Sequence, residues 1–450
     1  MARAAASPKA VARVSAERFD QWLVIAAIAI MAAGLLFNFG AAWVNANVAA
    51  LAPSSIVLIQ GALLAGAFAV GVLGGDRDRL TWLLILWLMI VWWVGLSLFR
   101  QAANPKYLGD IAAFPIFVLM GTVVRLRMIP PFLVVIQILA VVIGLWEAID
   151  PVGYGVSIDV AKYYANTRGV EATIYDPDLT GLYLNATRPV GRLLLPQLGI
   201  HRVSSLFLEP VSLGNWTVVV TIFLCTLWRR MALWMRVVLI GGNAVLLVMC
   251  DGRFAIIASV AVIGACLIAP KLPRGITLAF PPATMILLAI VRALGALPSG
   301  GDTLSGRLAK SLYYFERQSL TELFGLNASV PGYTFDSGWT YFAQTQSVLG
   351  FIAFWCLLCL MLPLRTVEAK RFIIGVTLFF ALSMPVSNSF ISIKAAGVLF
   401  VCYGCLRRWQ REEGVDDEKP ALAPPPAASA EMPRGRRPAL TGTRLARRSA

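Results

Sequence analysis

Twelve long apolar segments dominate this sequence of 450 residues. Each holds about 17–25 mostly hydrophobic residues, which is enough for a helix to cross the hydrocarbon core of a bilayer. The chain is therefore predicted to be an all-α, polytopic integral membrane protein with about twelve transmembrane helices. Within a few residues, the segments begin at Trp22, Ser54, Leu80, Leu108, Pro131, Val211, Arg236, Phe254, Ile276, Trp339, Phe372 and Ile391.

The composition excludes two common classes of protein. Hydrophobic residues make up 58% of the chain and charged residues only 14%, whereas about 25% of residues are charged in a typical soluble domain. A soluble enzyme is therefore not expected. The formal net charge of +15 is high enough to suggest a nucleic-acid partner. However, the basic residues lie mostly in short connections between apolar segments instead of in one patch, so no nucleic acid is expected.

The distribution of basic residues predicts the orientation of the chain. One set of short connections holds twelve of them and the other holds four, and the richer side of a membrane protein is the cytoplasmic one. Both termini are then cytoplasmic. The richer set comprises Arg77, Arg79, Arg125, Arg127, Arg229, Arg230, Arg236, Lys271, Arg274, Arg365, Lys370 and Arg371, and the poorer set comprises Arg100, Lys106, Arg253 and Lys394.

The chain divides into three predicted regions. Residues 1–20 form a cytoplasmic N-terminal segment, residues 21–405 form the transmembrane domain, and residues 406–450 form a disordered basic cytoplasmic tail rich in Pro, Ala and Arg. Within the domain, the connections at about 150–210 and 298–338 are long and lie on the extracytoplasmic side. Connections of this length are usually functional, so we expect the site there.

Two short elements carry charge close to the membrane surface. Arg202 and Glu209 lie seven residues apart at the start of the sixth segment, where they flank a cavity or form a structural ion pair, with Glu209 stabilised by the helix dipole. Asp251-Gly252-Arg253 joins the seventh and eighth segments so tightly that both charges stay near the lipid–water boundary. Arg253 either faces a common cavity with Arg202 or extends to lipid headgroups.

The second long connection adds Arg307, Tyr314, Arg317 and, at the start of the tenth segment, Asp336. Tyr314 is suited either to stacking on a sugar ring or to anchoring the connection in the membrane interface. Arginines on both long connections, with Arg253 between them, indicate a site for a strongly anionic group such as pyrophosphate, because guanidinium matches phosphate oxygens in a bidentate fork.

Neither a metal site nor a nucleotide site is indicated. His201 is the single histidine, and no HExxH or Walker A sequence occurs. We therefore expect no metal and no cofactor.

These features together resemble the Wzy/WaaL superfamily of O-antigen polymerases and ligases, most closely its bacterial exopolysaccharide polymerases. The resemblance is carried from about residue 202 to residue 354 by motifs, and in the first half of the chain by topology alone. The motifs are Arg202-x-x-Ser205-x-Phe207-x-Glu209-Pro210, Asp251-Gly252-Arg253, Ser305-Gly306-Arg307 and Phe324-Gly325-Leu326.

The resemblance implies a GT-C-like fold and a glycosyltransferase at the outer face of the bacterial inner membrane. Its substrates would be undecaprenyl-pyrophosphate-linked glycans, joined without a metal into exopolysaccharide or O-antigen-type polymer. Arg202, Arg253 and Arg307 would contact the donor phosphates, with Arg317 and Tyr314 as further substrate-binding residues. The implied partners are membrane lipid, a lipid-linked oligosaccharide flippase and a chain-length-regulating copolymerase.

The sequence departs from the ligases of this superfamily in one respect. They place a histidine near the start of the span after the second long connection, whereas this chain has Asp336-Ser337-Gly338. A carboxylate is then the expected base for the acceptor hydroxyl, either Glu209 or Asp336, and Glu209 is preferred because it shares a short element with Arg202.

Two alternatives stay open. One is a flippase or transporter of lipid-linked oligosaccharide, although such folds usually consist of two similar halves and none is seen here. The other is an O-antigen ligase that transfers the glycan to a lipid A core.

Overall fold

The computed structural model describes residues 8–74, 78–169, 181–183, 186, 192, 194–198, 201–297, 303–330 and 337–412, and these residues form α-helices and no β-strand. The helices are α1 (Pro8–Asn47), α2 (Pro53–Leu73), α3 (Arg79–Arg100), α4 (Pro105–Gly121), α5 (Ile129–Ile149), α6 (Pro151–Ile158), α7 (Val160–Arg168), α8 (Pro210–Leu227), α9 (Leu233–Cys250), α10 (Arg253–Ile268), α11 (Phe280–Ala293), α12 (Leu304–Glu316), α13 (Leu320–Leu323), α14 (Gly338–Leu360), α15 (Val367–Ser383) and α16 (Ile393–Glu412).

Nine helices in the described part of the chain are long and apolar enough to cross a membrane. This confirms the prediction of an all-helical, polytopic membrane protein. The other three predicted segments are also helical, as α4, α15 and α16. However, α4 and α15 have only 17 residues each, and α16 ends in several charged residues, so the count of twelve spans stays a prediction.

The helix bundle has two ends, which α16 connects. Near its start, Lys394 donates to the carbonyl oxygen of Phe207, and near its end Arg408 donates to the carbonyl oxygen of Thr122. A helix of 20 residues is about 30 Å long. We call the end that holds the start of α1, with Thr122, the N-terminal end, and the opposite end, with Phe207, the far end.

Helices α4 and α16 pack against each other at the centre of the bundle. Their contact depends on Gly121 and Gly404, because a Cβ at Gly404 would overlap the carbonyl oxygen of Val118 and one at Gly121 would overlap that of Val401. Small residues allow helix backbones to approach closely in this way. Residues 111–121 of α4 are all buried, so this part of the helix is surrounded by protein on every side.

Helical structure continues past both predicted ends of the transmembrane domain, and the bounds of that domain stay a prediction. Helix α1 begins at Pro8, inside the segment predicted to precede the domain, and α16 continues to Glu412, beyond the predicted boundary at residue 405. The last turns of α16 are fixed by contacts that sequence does not reveal: Arg407 donates to Asp78 at 2.6 Å, and Arg408 donates to the end of α4. The predicted disordered tail from residue 413 onward lies outside the described residues.

The described parts of the two long connections contain helices as well. Helices α6 and α7 belong to the first connection, and α12 and α13 to the second. All four lie at the far end, where α12 and the starts of α8 and α10 line the candidate site.

Candidate functional site

Three arginines from separate parts of the chain line one cavity at the far end. Arg202 precedes α8, Arg253 is the first residue of α10, and Arg307 lies in the first turn of α12. The cavity between them has a volume of about 70 Å³. The structure thus places around one cavity the three arginines that the sequence associates with a single anionic ligand.

The walls of this arginine cavity include the starts of three helices. Pro210 begins α8, Arg253 begins α10 and Leu304 begins α12, and all three residues line the cavity. The start of a helix carries a partial positive charge of about half a unit from its unpaired N–H groups. The three arginines outnumber Asp251, the one acidic residue of the lining, and the helix starts add partial positive charge. The cavity is therefore electropositive, which suits it to phosphate oxygens.

Arg202 is held by the C-terminal end of α9. It is buried, its Nε donates to the carbonyl oxygen of Cys250 at 3.1 Å, and its backbone N–H donates to Ala186 at 2.6 Å. Next to it, buried Arg192 donates to the carbonyl oxygens of His201 at 2.8 Å and Met249 at 3.3 Å. Cations are stabilised at helix C-termini, so both arginines strengthen the end of α9.

A tight turn places Arg253. Asp251 ends α9 with a left-handed backbone (φ 47°), and its fully buried carboxylate accepts from the N–H of Leu194 at 2.9 Å. Gly252 follows in a space that admits no side chain, since a Cβ there would be 2.9 Å from the Sγ of Cys250. Helix α10 starts at the next residue, so the Asp-Gly-Arg sequence fixes Arg253 beside the end of α9.

The side chain of Arg253 has a hydrogen-bond donor that no described residue pairs with. Its Nε atom is buried and has no hydrogen-bond partner among the residues that the structure describes. A buried donor without a partner costs about 1–3 kcal/mol, and a cation at a helix start is also unfavourable. A bound anion would remove both costs.

Glu147 supports the segment that carries Arg202, and sequence reasoning missed it. This fully buried carboxylate accepts from the backbone N–H groups of Ser204 at 3.0 Å and Ser205 at 2.6 Å. Nε2 of His201 lies 3.3 Å from Oε1 of Glu147, but without hydrogen-bond geometry. The available signal was that Glu147 is the single charged residue of α5, because charges within membrane helices usually have a specific role.

Glu209 is part of a separate polar network beside the arginine cavity and does not line it. Its carboxylate accepts from Tyr164 at 2.7 Å, Ser212 at 2.9 Å and Arg168 at 3.0 Å. Burial by itself would raise the pKa of Glu209, but the charges of Arg168 and Lys394 and the two hydroxyl hydrogen bonds outweigh burial and lower the pKa to about 2. Glu209 is therefore an ionised anchor at the start of α8 and a weak base.

Two predicted substrate-binding residues, one on α12 and one just after it, do not line the cavity. Tyr314 is partly buried, and Arg317, just beyond the end of α12, is exposed and stacks on the ring of Tyr313 with its Cζ 4.1 Å from the centroid. Tyr314 follows Arg307 by seven residues, which is about 10 Å along a helix. Both residues thus lie farther along the chain direction of α12 than Arg307.

Asp336, the other candidate base, lies outside the described residues. Its neighbour Ser337 is described and caps the start of α14, where its side chain accepts from the N–H of Thr340 at 3.3 Å. Ser311 of α12 donates to the Oγ of Ser337 at 2.7 Å. This bond ties the start of α14 to the helix that carries Arg307.

Helix α14 is interrupted in the membrane-spanning region. Ser347 has a non-helical backbone (φ 64°, ψ 161°), which frees carbonyl groups in the preceding turn. Buried Arg100 donates to the carbonyl oxygens of Gln344 and Thr345 and, at 2.5 Å, to that of Gly325. Arg100 thereby compensates for the interruption and connects α3 to the second long connection.

Within the described residues, no group of three or more His, Cys, Asp or Glu side chains is arranged to hold a metal ion. No protein-family model, no curated protein and no solved structure matches this chain.

Proposed function

We propose that this protein is a polysaccharide polymerase that joins undecaprenyl-pyrophosphate-linked oligosaccharide repeat units into exopolysaccharide or O-antigen-type polymer. The observation that carries the proposal is the arginine cavity, where Arg202, Arg253 and Arg307 meet the starts of three helices. A site of this charge within a membrane bundle suits a phosphorylated lipid, and the sequence motifs around these arginines resemble the Wzy/WaaL superfamily.

The proposal includes an orientation and a membrane. With the richer set of basic connections on the cytoplasmic side, both termini are cytoplasmic and the far end faces outward from the bacterial inner membrane. The phosphates of a lipid-linked donor lie at the membrane surface, at the level of Arg253 and the other helix starts. The donor can then reach the arginine cavity while its polyprenyl chain stays in the bilayer.

The reaction that we propose is a single displacement. A hydroxyl oxygen of the acceptor unit attacks the anomeric carbon of the donor glycan, and the bond from that carbon to the pyrophosphate oxygen breaks. Undecaprenyl pyrophosphate leaves with the bonding electrons, and the hydroxyl proton passes to a carboxylate. Arg202, Arg253 and Arg307 stabilise the charge that develops on the leaving group. The anomeric configuration is inverted, since no covalent enzyme intermediate forms.

Of the two candidate bases, Asp336 suits the reaction better than Glu209. A carboxylate whose pKa is about 2 has little affinity for a proton at neutral pH. The oxygens of Glu209 are also occupied by Tyr164, Arg168 and Ser212. Substitution separates the two candidates. Asp336→Asn should abolish polymerisation, whereas Glu209→Gln should leave some activity, with the same pH profile as the wild type.

The proposal is tested with purified protein in nanodiscs and a fluorescent lipid-linked repeat unit. We expect a ladder of polymer from the wild type and none from Arg253→Gln or Arg307→Gln. Lys310→Gln is the matched control, because Lys310 is an exposed cation on the same helix as Arg307 and does not line the cavity. Wild-type ladders from both arginine variants, at equal amounts of folded protein, would overturn the assignment.

The interrupted helix α14 favours a second candidate, a flippase of the same lipid-linked substrate. Interrupted helices with polar residues at membrane depth are common at the binding sites of transporters. In proteoliposomes, a flippase would move the labelled lipid to the opposite leaflet without forming a ladder. An O-antigen ligase, by contrast, would transfer the label only when lipid A core is supplied.

A further inference from the structure

A second basic cavity lies at the N-terminal end of the bundle, on the opposite side from the arginine cavity. It has a volume of about 970 Å³ and is bounded by residues 20–25 of α1, by the connection that precedes α5, and by the ends of α2, α4 and α16. Sites for small molecules usually have volumes of about 300–1,000 Å³. This cavity is therefore large enough for a ligand, and the proposed polymerase reaction does not use it.

Four arginines and two acidic residues line this N-terminal cavity. Arg408 is fixed by Glu412 at 2.9 Å and by the carbonyl oxygen of Thr122 at 3.0 Å, and Arg411 lies 3.2 Å from Asp78.

The remaining two arginines of the N-terminal cavity, Arg125 and Arg127, are exposed, and in the part of the chain that the structure describes their side chains form no hydrogen bond or ion pair. Asp20 is the other acidic residue. The lining thus has an excess of two positive charges.

The opposite wall of the cavity belongs to a membrane helix, and it is apolar beyond Asp20 and Gln21. Leu23, Val24 and Ile25 line it, near the start of the membrane-spanning part of α1, residues Arg18–Asn47. Ile25 is 55% exposed and neighbouring Trp22 is 68% exposed. Tryptophan is enriched at the level of lipid headgroups, so this wall lies where headgroups meet acyl chains.

We propose that the N-terminal cavity binds an anionic phospholipid. Arg125 and Arg127 contact the phosphate, and the upper part of an acyl chain lies along Val24 and Ile25. An isolated phosphate ion would use the arginines but not the apolar wall. The chain's own basic tail would add positive charge to a lining that already has an excess of it. A lipid with a negative headgroup is the ligand that matches both walls.

The bound lipid would join parts of the chain that are far apart in sequence. Its headgroup would touch the connection between α4 and α5, and its acyl chain would touch α1. Binding to the folded state alone raises thermal stability in proportion to the logarithm of ligand concentration over Kd. The proposal therefore predicts stabilisation that depends on headgroup charge.

The test uses the full-length protein, purified in detergent and stripped of lipid. Its Tm is measured against increasing phosphatidylglycerol, phosphatidylcholine and inorganic phosphate, and bound lipids are counted by native mass spectrometry. We expect phosphatidylglycerol to raise Tm and to remain bound, and the other two to do neither. The double variant Arg125→Gln/Arg127→Gln should bind phosphatidylglycerol about thirtyfold more weakly, which is about 2 kcal/mol for two charges near a membrane surface.

Two further variants control for charge and for folding. Arg229→Gln/Lys271→Gln removes the same charge from exposed positions that do not line the cavity, and it should respond as the wild type does. Arg125→Lys/Arg127→Lys keeps the charge and should retain most of the affinity. Equal responses to the two phospholipids, an equal response to phosphate alone, or equal loss in the control variant would each overturn the proposal.

Discussion

The Nε atom of Arg202 donates a hydrogen bond of 3.1 Å to the carbonyl oxygen of Cys250, the last residue of α9. Arg202 thus stabilises the negative end of one helix, while Arg253 occupies the positive start of the next. One guanidinium group has a structural partner, and the other has a buried Nε without a partner among the described residues. The two arginines should therefore respond differently to substitution.

Substitution of Arg253 is expected to remove anion binding without loss of stability. In Arg253→Gln, Tm should stay within a few degrees of the wild type or rise, because a cation leaves the start of α10, but pyrophosphate should no longer stabilise the protein. In Arg202→Gln, the stabilisation by pyrophosphate should be lost as well, and Tm itself should fall. The fall is expected because a hydrogen bond from a charged group is worth about 1.5–3 kcal/mol. Thermal unfolding with and without pyrophosphate checks both. The prediction would be contradicted if pyrophosphate raised the Tm of Arg253→Gln as much as it raises the Tm of the control variant Lys310→Gln.

Gly252→Ala is expected to destabilise the turn between α9 and α10. The new Cβ would lie 2.9 Å from the Sγ of Cys250 and 3.2 Å from the Cβ of Ala255. Overpacking of this kind costs about 1–3 kcal/mol. Cys250→Ala removes the closer atom, so the double variant should recover part of the lost Tm. If the Tm changes of the two single variants simply add up in the double variant, the contact between the new Cβ and Cys250 is not the cause of the destabilisation.

The low pKa of Glu209 predicts a specific acid sensitivity. Its pKa falls from an ordinary 4.5 to about 2 in the folded protein, so the ionised carboxylate stabilises the fold above about pH 4.5. That stabilisation is lost as the pH falls from 4.5 towards 2. Glu209→Gln should have a lower Tm at pH 7 and a smaller decrease in Tm over this pH range. Glu316→Gln, at a half-exposed carboxylate, should keep the pH dependence of the wild type.

Glu147 is expected to control the position of Arg202 through the segment between them. In Glu147→Ala, the buried N–H groups of Ser204 and Ser205 lose their acceptor, which costs about 1–3 kcal/mol for each group left unpaired. Tm and pyrophosphate affinity should both fall. Glu147→Gln keeps one acceptor oxygen and should be intermediate in both. If affinity stayed at the wild-type value while Tm fell, Glu147 would support the fold but not the site.

Sequence predicted the helices well because the signal is local. A run of apolar residues in a bilayer has to satisfy its own backbone, so each of the twelve predicted segments is helical, including α4, α15 and α16. The boundaries were less accurate, as at α16, where contacts from Arg407 and Arg408 to other helices extend the helix to Glu412.

The candidate site was only partly predictable, because much of it depends on contacts between distant residues. Arg202, Arg253 and Arg307 could be grouped from charge and topology, although nothing in the sequence fixes the distances between them. Glu147 meets Ser204 across 57 positions, and Tyr164 meets Glu209 across 45. The sequence around a single acidic residue does not reveal which distant residue it contacts. The roles of Glu147 and Glu209 could therefore be assigned only from the structure.

The lining of the arginine cavity has a consequence for substrate selection. Apart from its three arginines it consists mainly of apolar residues and helix starts, which suit phosphate oxygens better than the hydroxyl groups that distinguish one sugar ring from another. In the proposed polymerase, the cavity would therefore recognise the phosphate that all polyprenyl-linked glycans share. Discrimination between glycans then falls to the long connections, and exchanging those connections with a relative's should change which polymer is made while pyrophosphate affinity stays the same.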